Sequence, residues 1–209
     1  MRTKAFKRWF GDWEKLYRIE KVRKSKSIRI SSNEIKRDSD ARQYANNALD
    51  YGKNLRGIYI NKDTGKRIEI SKKGLQEILH HDINDDAHIQ SVAAISDIIE
   101  NAIYIDSAEN EDRIKNPNVA KYHYYVCGLK IGKEDYTVKM VVAEHTDGQR
   151  YYDHGLTQIE KGQLLDQLFA ITSHGFNQEA PLSEGKDKRL MSVLQTDIQN
   201  AWTKMANRK

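Results

Sequence analysis

The first part of the chain predicts helices, because its hydrophobic residues recur every three or four positions. This spacing is found in "ARQYANNALDYGKNL", "KKGLQEILHH" and "HIQSVAAISDIIENA", and it places the apolar side chains of each stretch on one helical face. Capping residues stand where the helices would begin: Asp38 or Ser39 for the first, Ser71 for the second, and Asp85 or Asp86 for the third. We therefore predict three helices over these stretches.

From residue 103 onward the hydrophobic period changes to two, which is typical of β-strands. The candidate strands are "AIYIDSAEN", "AKYHYYVCGLKIG", "DYTVKMVVAEH" and "RYYDHGL", and the turn composition of "IGKED" and "TDGQ" predicts that the last three are joined as hairpins. A further hairpin is predicted earlier, in "RGIYINKDTGKRIEIS". Helices followed by consecutive strands indicate an α+β domain, in which N-terminal helices pack on an antiparallel four-stranded β-meander.

The two ends of the chain predict additional helices. At the N-terminus an aromatic stripe at helical spacing is formed by Phe6, Trp9, Phe10, Trp13 and Tyr17. After the strands, Thr157 is placed to cap a helix in "QIEKGQLLDQLF", a linker-like segment follows, and "RLMSVLQTDIQNAW" again has helical spacing. We therefore divide the chain into a basic aromatic N-terminal helix with a linker (1–37), the α+β domain (38–170), and a linker with a C-terminal tail helix (171–209).

The formal charge of +5 is concentrated near the N-terminus, where residues 1–37 contain thirteen Lys and Arg against four Asp and Glu. Such a segment suits a phosphate backbone or an acidic partner, although a solvated basic helix has the same composition. The single cysteine, Cys127, excludes an intramolecular disulfide, and there is no run of 18 apolar residues. We expect a soluble protein of a reducing cytoplasm without a membrane partner.

The densest group of titratable residues is "LHHDINDDAHI", at residues 79–89. On the predicted helix His80 points away from the core and His81 lies at its boundary, whereas His88 opens the next helix. A histidine near a helix N-terminus is favoured in its neutral form, which suits a general base. A polar helix junction without catalytic function has the same composition. A zinc site is disfavoured, because the one cysteine is distant and no H-E-x-x-H motif is present.

The strands contain a second group of candidates. Alternation places His123 and Tyr125 on one face of the second strand, and it places Tyr152 with His154 on one face of the last strand. Tyrosines that only pack against neighbouring strands would have the same spacing. Histidine and tyrosine together nevertheless provide proton donors and acceptors on the predicted sheet.

Two cations, Lys139 and Arg150, lie on the strands next to these rings. Aromatic rings stack on unpaired bases and cations contact phosphates, so this combination is typical of an RNA site. Metal-independent RNA cleavage needs a base for the 2′-hydroxyl, an acid for the leaving oxygen and a cation near the phosphoryl group. The residue types on these strands can supply all three.

Residues 50 to 165 resemble a known family. The resemblance is carried by "GIYINKDTGKRIEISKKGLQEILHHD", "HIQSVAAISDIIENA", "YHYYVCGLKIGKEDYTVKMVV" and "RYYDHGLTQIEKG". These segments are similar to phage-type nuclease-like and large polyvalent protein-associated domains of phages and mobile elements, which are grouped with the Barnase-EndoU-Colicin-RelE superfamily. The resemblance implies N-terminal helices on an antiparallel four-stranded sheet, and metal-independent cleavage of RNA, often tRNA, to a 2′,3′-cyclic phosphate.

The sequence leaves two functions open. The first is a metal-independent endoribonuclease-like domain of phage or mobile-element origin, with RNA (tRNA among the candidates) as substrate, an immunity protein or another protein as partner, and neither cofactor nor metal. The second is a non-enzymatic accessory or binding module of a polyvalent phage protein. By the resemblance and the spacing together, the catalytic candidates are His81, His88, His123, Tyr125, Tyr152 and His154. The substrate-binding candidates are Lys72, Lys73, Lys139 and Arg150.

Overall fold

The computed structural model describes residues 13–79, 83–111 and 113–162. All of them belong to the first of two compact units, Met1–Leu165, and the second unit, Asp166–Lys209, lies outside the described residues. The predicted tail helix and most of the N-terminal aromatic stripe therefore also lie outside them. The proposed division into three regions stays a prediction.

Five α-helices lie in the described residues. They are α1 (Trp13–Lys24), α2 (Ala41–Lys53), α3 (Lys72–Gln76), α4 (Asp86–Ser91) and α5 (Ile95–Asn101), with 3-10 turns at Glu77–Leu79 and Val92–Ala94. The caps predicted at Ser71 and Asp85 are confirmed, because each side chain accepts a hydrogen bond from a backbone N–H of the first turn that follows. Helix α2 is capped by Asp40 instead of Asp38 or Ser39, since the Asp40 carboxylate accepts from two N–H groups of that helix.

Seven strands in the described residues form one mixed sheet, which curls into a half-barrel. They are β1 (Ile28–Ile30), β2 (Gly57–Ile60), β3 (Arg67–Ile70), β4 (Ile103–Glu109), β5 (Val119–Ile131), β6 (Glu134–His145) and β7 (Arg150–Lys161). Their order is β1-β5-β6-β7-β3-β2, and β4 also pairs with β5. Strands β1 and β4 thus share one edge of β5, at its C-terminal and N-terminal halves respectively.

The predicted fold, helices on an antiparallel four-stranded meander, is wrong. Strands β4 to β7 are antiparallel neighbours, but β1 joins β5 in parallel and β3 joins β7 in parallel through the pair Glu69 and Tyr151. The second pairing brings the predicted β2–β3 hairpin into the same sheet. A three-residue strand such as β1 is too short to show alternation, and parallel pairing between distant segments leaves no local sequence signal.

Strand β7 also continues where a helix is predicted. Residues 158–161 pair with β6, so that Gln158 stands opposite Lys139 and Lys161 opposite Tyr136. Thr157 therefore caps no helix at this point. The reason is that Gln158, Ile159 and Glu160 alternate between polar and apolar side chains, and an alternating segment next to an unfilled strand edge gains ladder hydrogen bonds by extending the sheet.

A large bulge divides β7 into two halves. Between the pairs Lys139/Gln158 and Val141/Asp153, four residues of β7 stand opposite a single residue of β6. The Thr157 hydroxyl accepts a hydrogen bond from the Val141 N–H at 3.2 Å and donates one to the Asp153 carbonyl at 2.6 Å. This side chain replaces the ladder hydrogen bonds that the extra residues interrupt.

The helices cover one face of the sheet, which we call the helix face. Strand β5 contributes Tyr125, Cys127 and Leu129 to the core on this face, and the facing helical segments contribute several isoleucines, among them Ile89 and Ile98. Burial raises the pKa of the Cys127 thiol to about 12, so this cysteine packs as a neutral apolar side chain. None of the described helices is long and apolar enough to cross a membrane.

Candidate functional site

A row of charged side chains crosses strands β5, β6 and β7 near the end of the helix face. Lys121 pairs with Glu144, and Glu144 pairs with Arg150. Paired residues of antiparallel strands project to the same side, and so does His123, two positions after Lys121. We call Lys121, His123, Glu144 and Arg150 the charged row.

Glu144 is the centre of this row. Its Oε2 atom lies 3.0 Å from His123 Nε2 and 2.5 Å from Arg150 Nη2. The three side chains are only partly accessible, with exposed fractions of 15% for His123, 19% for Glu144 and 21% for Arg150. Lys121 lies further out and pairs with Glu109 at 2.7 Å. A partly shielded carboxylate is thus held between an imidazole and a guanidinium.

The electrostatics of the row follow from this arrangement. Burial by itself raises the pKa of Glu144, but the hydrogen bond with His123 and the positive charge of Arg150 outweigh it, so the pKa of Glu144 lies below its usual range. Glu144 is therefore ionised at neutral pH. An ionised carboxylate has no hydrogen to donate, so the Nε2–H group of His123 is the donor in their hydrogen bond.

Aromatic rings support the row from the neighbouring strand. The ring of Tyr104 on β4 lies 6.1 Å from the His123 ring and meets the Tyr125 ring edge-on at 5.4 Å, centroid to centroid. Arg18 on α1 holds Tyr104 in turn, because its guanidinium lies 4.5 Å over the ring and donates to the Tyr104 carbonyl at 3.0 Å. Tyr125 is fully buried, and burial raises the pKa of its phenol. These rings position His123.

Arg150 has one N–H group left over. Its Nε atom is buried and has no hydrogen-bond partner in the described part of the chain. A buried donor without an acceptor costs about 1–3 kcal/mol. An oxyanion that enters the row could accept from Nε and Nη2 together, which is the geometry that arginine uses for phosphate.

Three other predicted catalytic residues come together, but in the core. The rings of His88 and His154 lie 4.3 Å apart, and the Tyr152 hydroxyl is 2.9 Å from His154 Nδ1. All three side chains are almost fully buried, and burial raises the pKa of Tyr152. The sequence named all three as catalytic candidates, and the structure places them in contact through His154, beneath the surface and not in an open groove. Their catalytic roles stay predictions.

The remaining candidates are dispersed. His81 lies outside the described residues, as does His80. Lys139 is paired with Glu160 further along the sheet, Lys72 is exposed on α3, and Lys73 lines a groove on the opposite face of the sheet. The structure therefore brings together His123, Tyr125 and Arg150 of the predicted set, and it leaves the lysines elsewhere.

Glu144 is the residue that sequence reasoning missed. The available signal was a pair of opposite charges, Glu144 and Arg150, on either side of the "TDGQ" turn, where two hairpin strands place residues opposite each other. Within the described residues no group of three or more His, Cys, Asp or Glu side chains is arranged to hold a metal ion.

Comparison with known proteins identifies one family. The model of the family described as "Large polyvalent protein-associated domain 3" matches residues 36–152, which is more than half of the chain and includes the whole charged row. No curated protein matches the chain, and no solved structure matches it either.

Proposed function

The chain belongs to the Large polyvalent protein-associated domain 3 family. We propose that it is a metal-independent endoribonuclease-like domain of phage or mobile-element origin. The observation that supports this proposal is the position of Glu144 between His123 and Arg150. A carboxylate, an imidazole and a guanidinium in contact are a base, an acid and a cation for phosphoryl chemistry. The product would be a 2′,3′-cyclic phosphate.

In the proposed reaction, the proton of a ribose 2′-hydroxyl passes to Glu144 while the 2′-oxygen forms a bond to phosphorus. The bond from phosphorus to the 5′-oxygen breaks, and protonated His123 gives its proton to that leaving oxygen. Arg150 neutralises the charge that develops on the non-bridging oxygens, for which its Nε–H and Nη2–H groups are suited. Glu144 then releases its proton to water and His123 takes one up from water, which returns both side chains to their starting states.

Binding of RNA would also prepare Glu144 for this role. A carboxylate whose pKa is lowered is a weak base, and here the pKa is lowered by His123 and Arg150. A phosphate group competes for both of these donors, so its arrival removes the interactions that hold the pKa of Glu144 down. The hydrogen bond between Glu144 and His123 in the free protein is therefore compatible with catalysis, because such contacts rearrange when the substrate binds.

The resemblance to the Barnase-EndoU-Colicin-RelE superfamily remains part of the proposal. The mixed seven-stranded sheet differs from the antiparallel sheet that the resemblance implied, so the support comes from the charged row and not from the fold. RNA, with tRNA among the candidates, is the proposed substrate.

The alternative is a non-enzymatic accessory or binding module. It is favoured by the burial of His88, His154 and Tyr152, which keeps those groups from solvent, and by the ion pairs that Glu144 already makes. In this case the charged row only joins three strands. Such a module would bind its partner without cleaving RNA.

The deciding experiment is incubation of the purified protein with total cellular RNA, with and without EDTA, followed by mapping of the cut ends. Glu144→Gln and His123→Gln should each lower the cleavage rate by about 100-fold or more. Glu134→Gln is the matched control, because Glu134 lies on the same strand and forms an exposed ion pair with Lys161.

The outcomes separate the two functions. Cleavage that persists in EDTA, leaves cyclic phosphates and depends on Glu144 supports the enzyme. Cleavage that EDTA abolishes, or that Glu144→Gln leaves unchanged, refutes the mechanism. Absence of cleavage of any RNA refutes the enzyme and leaves the binding module.

A further inference from the structure

A groove lies on the face of the sheet opposite to the helix face. Its volume is about 460 Å³, within the range of about 300–1,000 Å³ that is typical of small-molecule sites. Strands β5 to β7 form its floor. Its wall is formed by α3 and the following 3-10 turn, because this segment follows β3 directly and lies against the backbone of β7 at Tyr152. The side chains that carry chemistry there are Lys73, Glu77, Asn116, Tyr122, His145 and Tyr151.

The backbone holds this groove in shape. Helix α3 approaches β7 closely at Gly74, where an added Cβ atom would come within 2.7 Å of the Tyr152 carbonyl oxygen. The bulge of β7 closes the other end, and the Asp153 carboxylate fixes it by accepting a hydrogen bond from the Leu156 N–H at 3.0 Å. Bulges next to binding sites are common because they redirect side chains. The cavity therefore exists before any ligand binds.

Two tyrosines line the floor of the groove on either side of Ala143. Tyr122, Ala143 and Tyr151 are paired in register across three strands, so their side chains project to the same side. Neighbouring strands are about 4.8 Å apart, which separates the two tyrosines by about 10 Å at the backbone, with only a methyl group between them. The ring of His145 lies 4.5 Å from that of Tyr151 and extends this aromatic surface.

A cation stands at the rim. Lys73 is exposed, and its ammonium group forms no ion pair within the part of the chain that the structure describes. Aromatic rings provide stacking surfaces for a planar base, and a lysine provides charge for a phosphate. Ser71 and Asn116 add hydrogen-bonding groups to the lining.

We infer that this groove binds a nucleotide, with the base between Tyr122 and Tyr151 and the phosphate at Lys73. The site is separate from the charged row, because Arg150 and Tyr151 are consecutive on β7 and project to opposite faces. The nucleotide is either a free mononucleotide or one residue of a single-stranded RNA. The inference does not depend on RNA cleavage.

The test is calorimetric titration of the full chain carrying Glu144→Gln, so that cleavage at the charged row cannot interfere. The probes are adenosine 5′-monophosphate, adenosine, inorganic phosphate and a short single-stranded oligoadenylate. Tyr151→Leu should weaken binding of every probe that contains a base by about 5- to 100-fold. Lys73→Gln should weaken the binding of adenosine 5′-monophosphate but not the binding of adenosine.

Lys72→Gln is the matched control, since Lys72 is the neighbouring exposed lysine and does not line the groove. Thermal unfolding of each variant checks that the fold is retained. Binding of the monophosphate that is sensitive to Tyr151 supports a free nucleotide as ligand, and sensitive binding of the oligonucleotide alone supports RNA. The inference is overturned if neither adenosine 5′-monophosphate nor the oligoadenylate binds. It is also overturned if Tyr151→Leu binds these two probes as tightly as the parent does. RNA cleavage is measured separately, on the protein with the natural Glu144. The binding proposal and the cleavage proposal can therefore each fail without the other.

Discussion

Replacing Glu144 by glutamine should lower the free energy of unfolding by about 1–2 kcal/mol. The substitution keeps the shape of the side chain but removes the charge that both His123 and Arg150 contact. A hydrogen bond to a charged group contributes about 1 kcal/mol more than a neutral one. Two such contacts give about 2 kcal/mol, and partial exposure of all three side chains reduces this value by solvent screening.

Urea unfolding followed by circular dichroism measures this loss. The control is Glu134→Gln, which breaks an ion pair of similar length, 2.7 Å, whose two side chains are more than half exposed. Exposed pairs are screened by solvent and contribute little, so the control should leave stability almost unchanged. An effect of Glu144→Gln no larger than that of the control would refute the claim that the charged row is shielded from solvent.

The pH dependence gives an independent check of the same reasoning. The pKa of Glu144 is lowered in the folded protein, so its stabilisation is present above the pKa of an unfolded glutamate and disappears as the pH falls through the folded-state pKa. The difference in stability between the natural protein and Glu144→Gln should therefore persist down to about pH 5 and close at more acidic pH. A difference that widens below that pH would contradict the lowered pKa.

Two further substitutions test the fold around the proposed sites. Gly74→Ala should destabilise the protein by about 1–2 kcal/mol in urea unfolding, because the added Cβ would press on the Tyr152 carbonyl. This loss is expected even though alanine favours helices over glycine by about 1 kcal/mol. A stabilised variant would show that α3 can move away from β7. Asn61→Ala should cost about 2–4 kcal/mol by the same measurement, because the buried Asn61 amide donates to the carbonyls of Ile99 and Ala102 at 2.8 Å each. A loss below about 1 kcal/mol would show that water replaces those hydrogen bonds.

Local elements of this fold were predictable where a short segment carries its own signal. The alternation of β5, the cap at Ser71 and the β2–β3 hairpin all follow from neighbouring residues. The mixed sheet was not predictable in the same way, because the parallel pairing of β3 with β7 depends on a contact between residues 69 and 151. Non-local pairing is decided by packing of the whole domain and has no counterpart in local periodicity.

The candidate site was predictable only in part, for a related reason. His123 and Arg150 have side chains with evident chemistry, and the sequence singled out both. Their common partner Glu144 becomes visible only when the register of β6 against β7 is known, and that register shifts at the bulge. Conversely, the rings of His88 and His154 do meet, but the sequence does not show that both side chains are buried.

The two proposed sites depend on the same few residues of β7. Arg150 and Tyr152 project to the helix face, one to the charged row and one to the core, whereas Tyr151 projects to the groove. A slip of one residue in the pairing with β6 would exchange the two faces. The Thr157 hydroxyl, which bonds both strands at the bulge, opposes such a slip. The bulge thus has a physical role in both proposals, because it fixes the register that gives Arg150 and Tyr151 their separate surroundings.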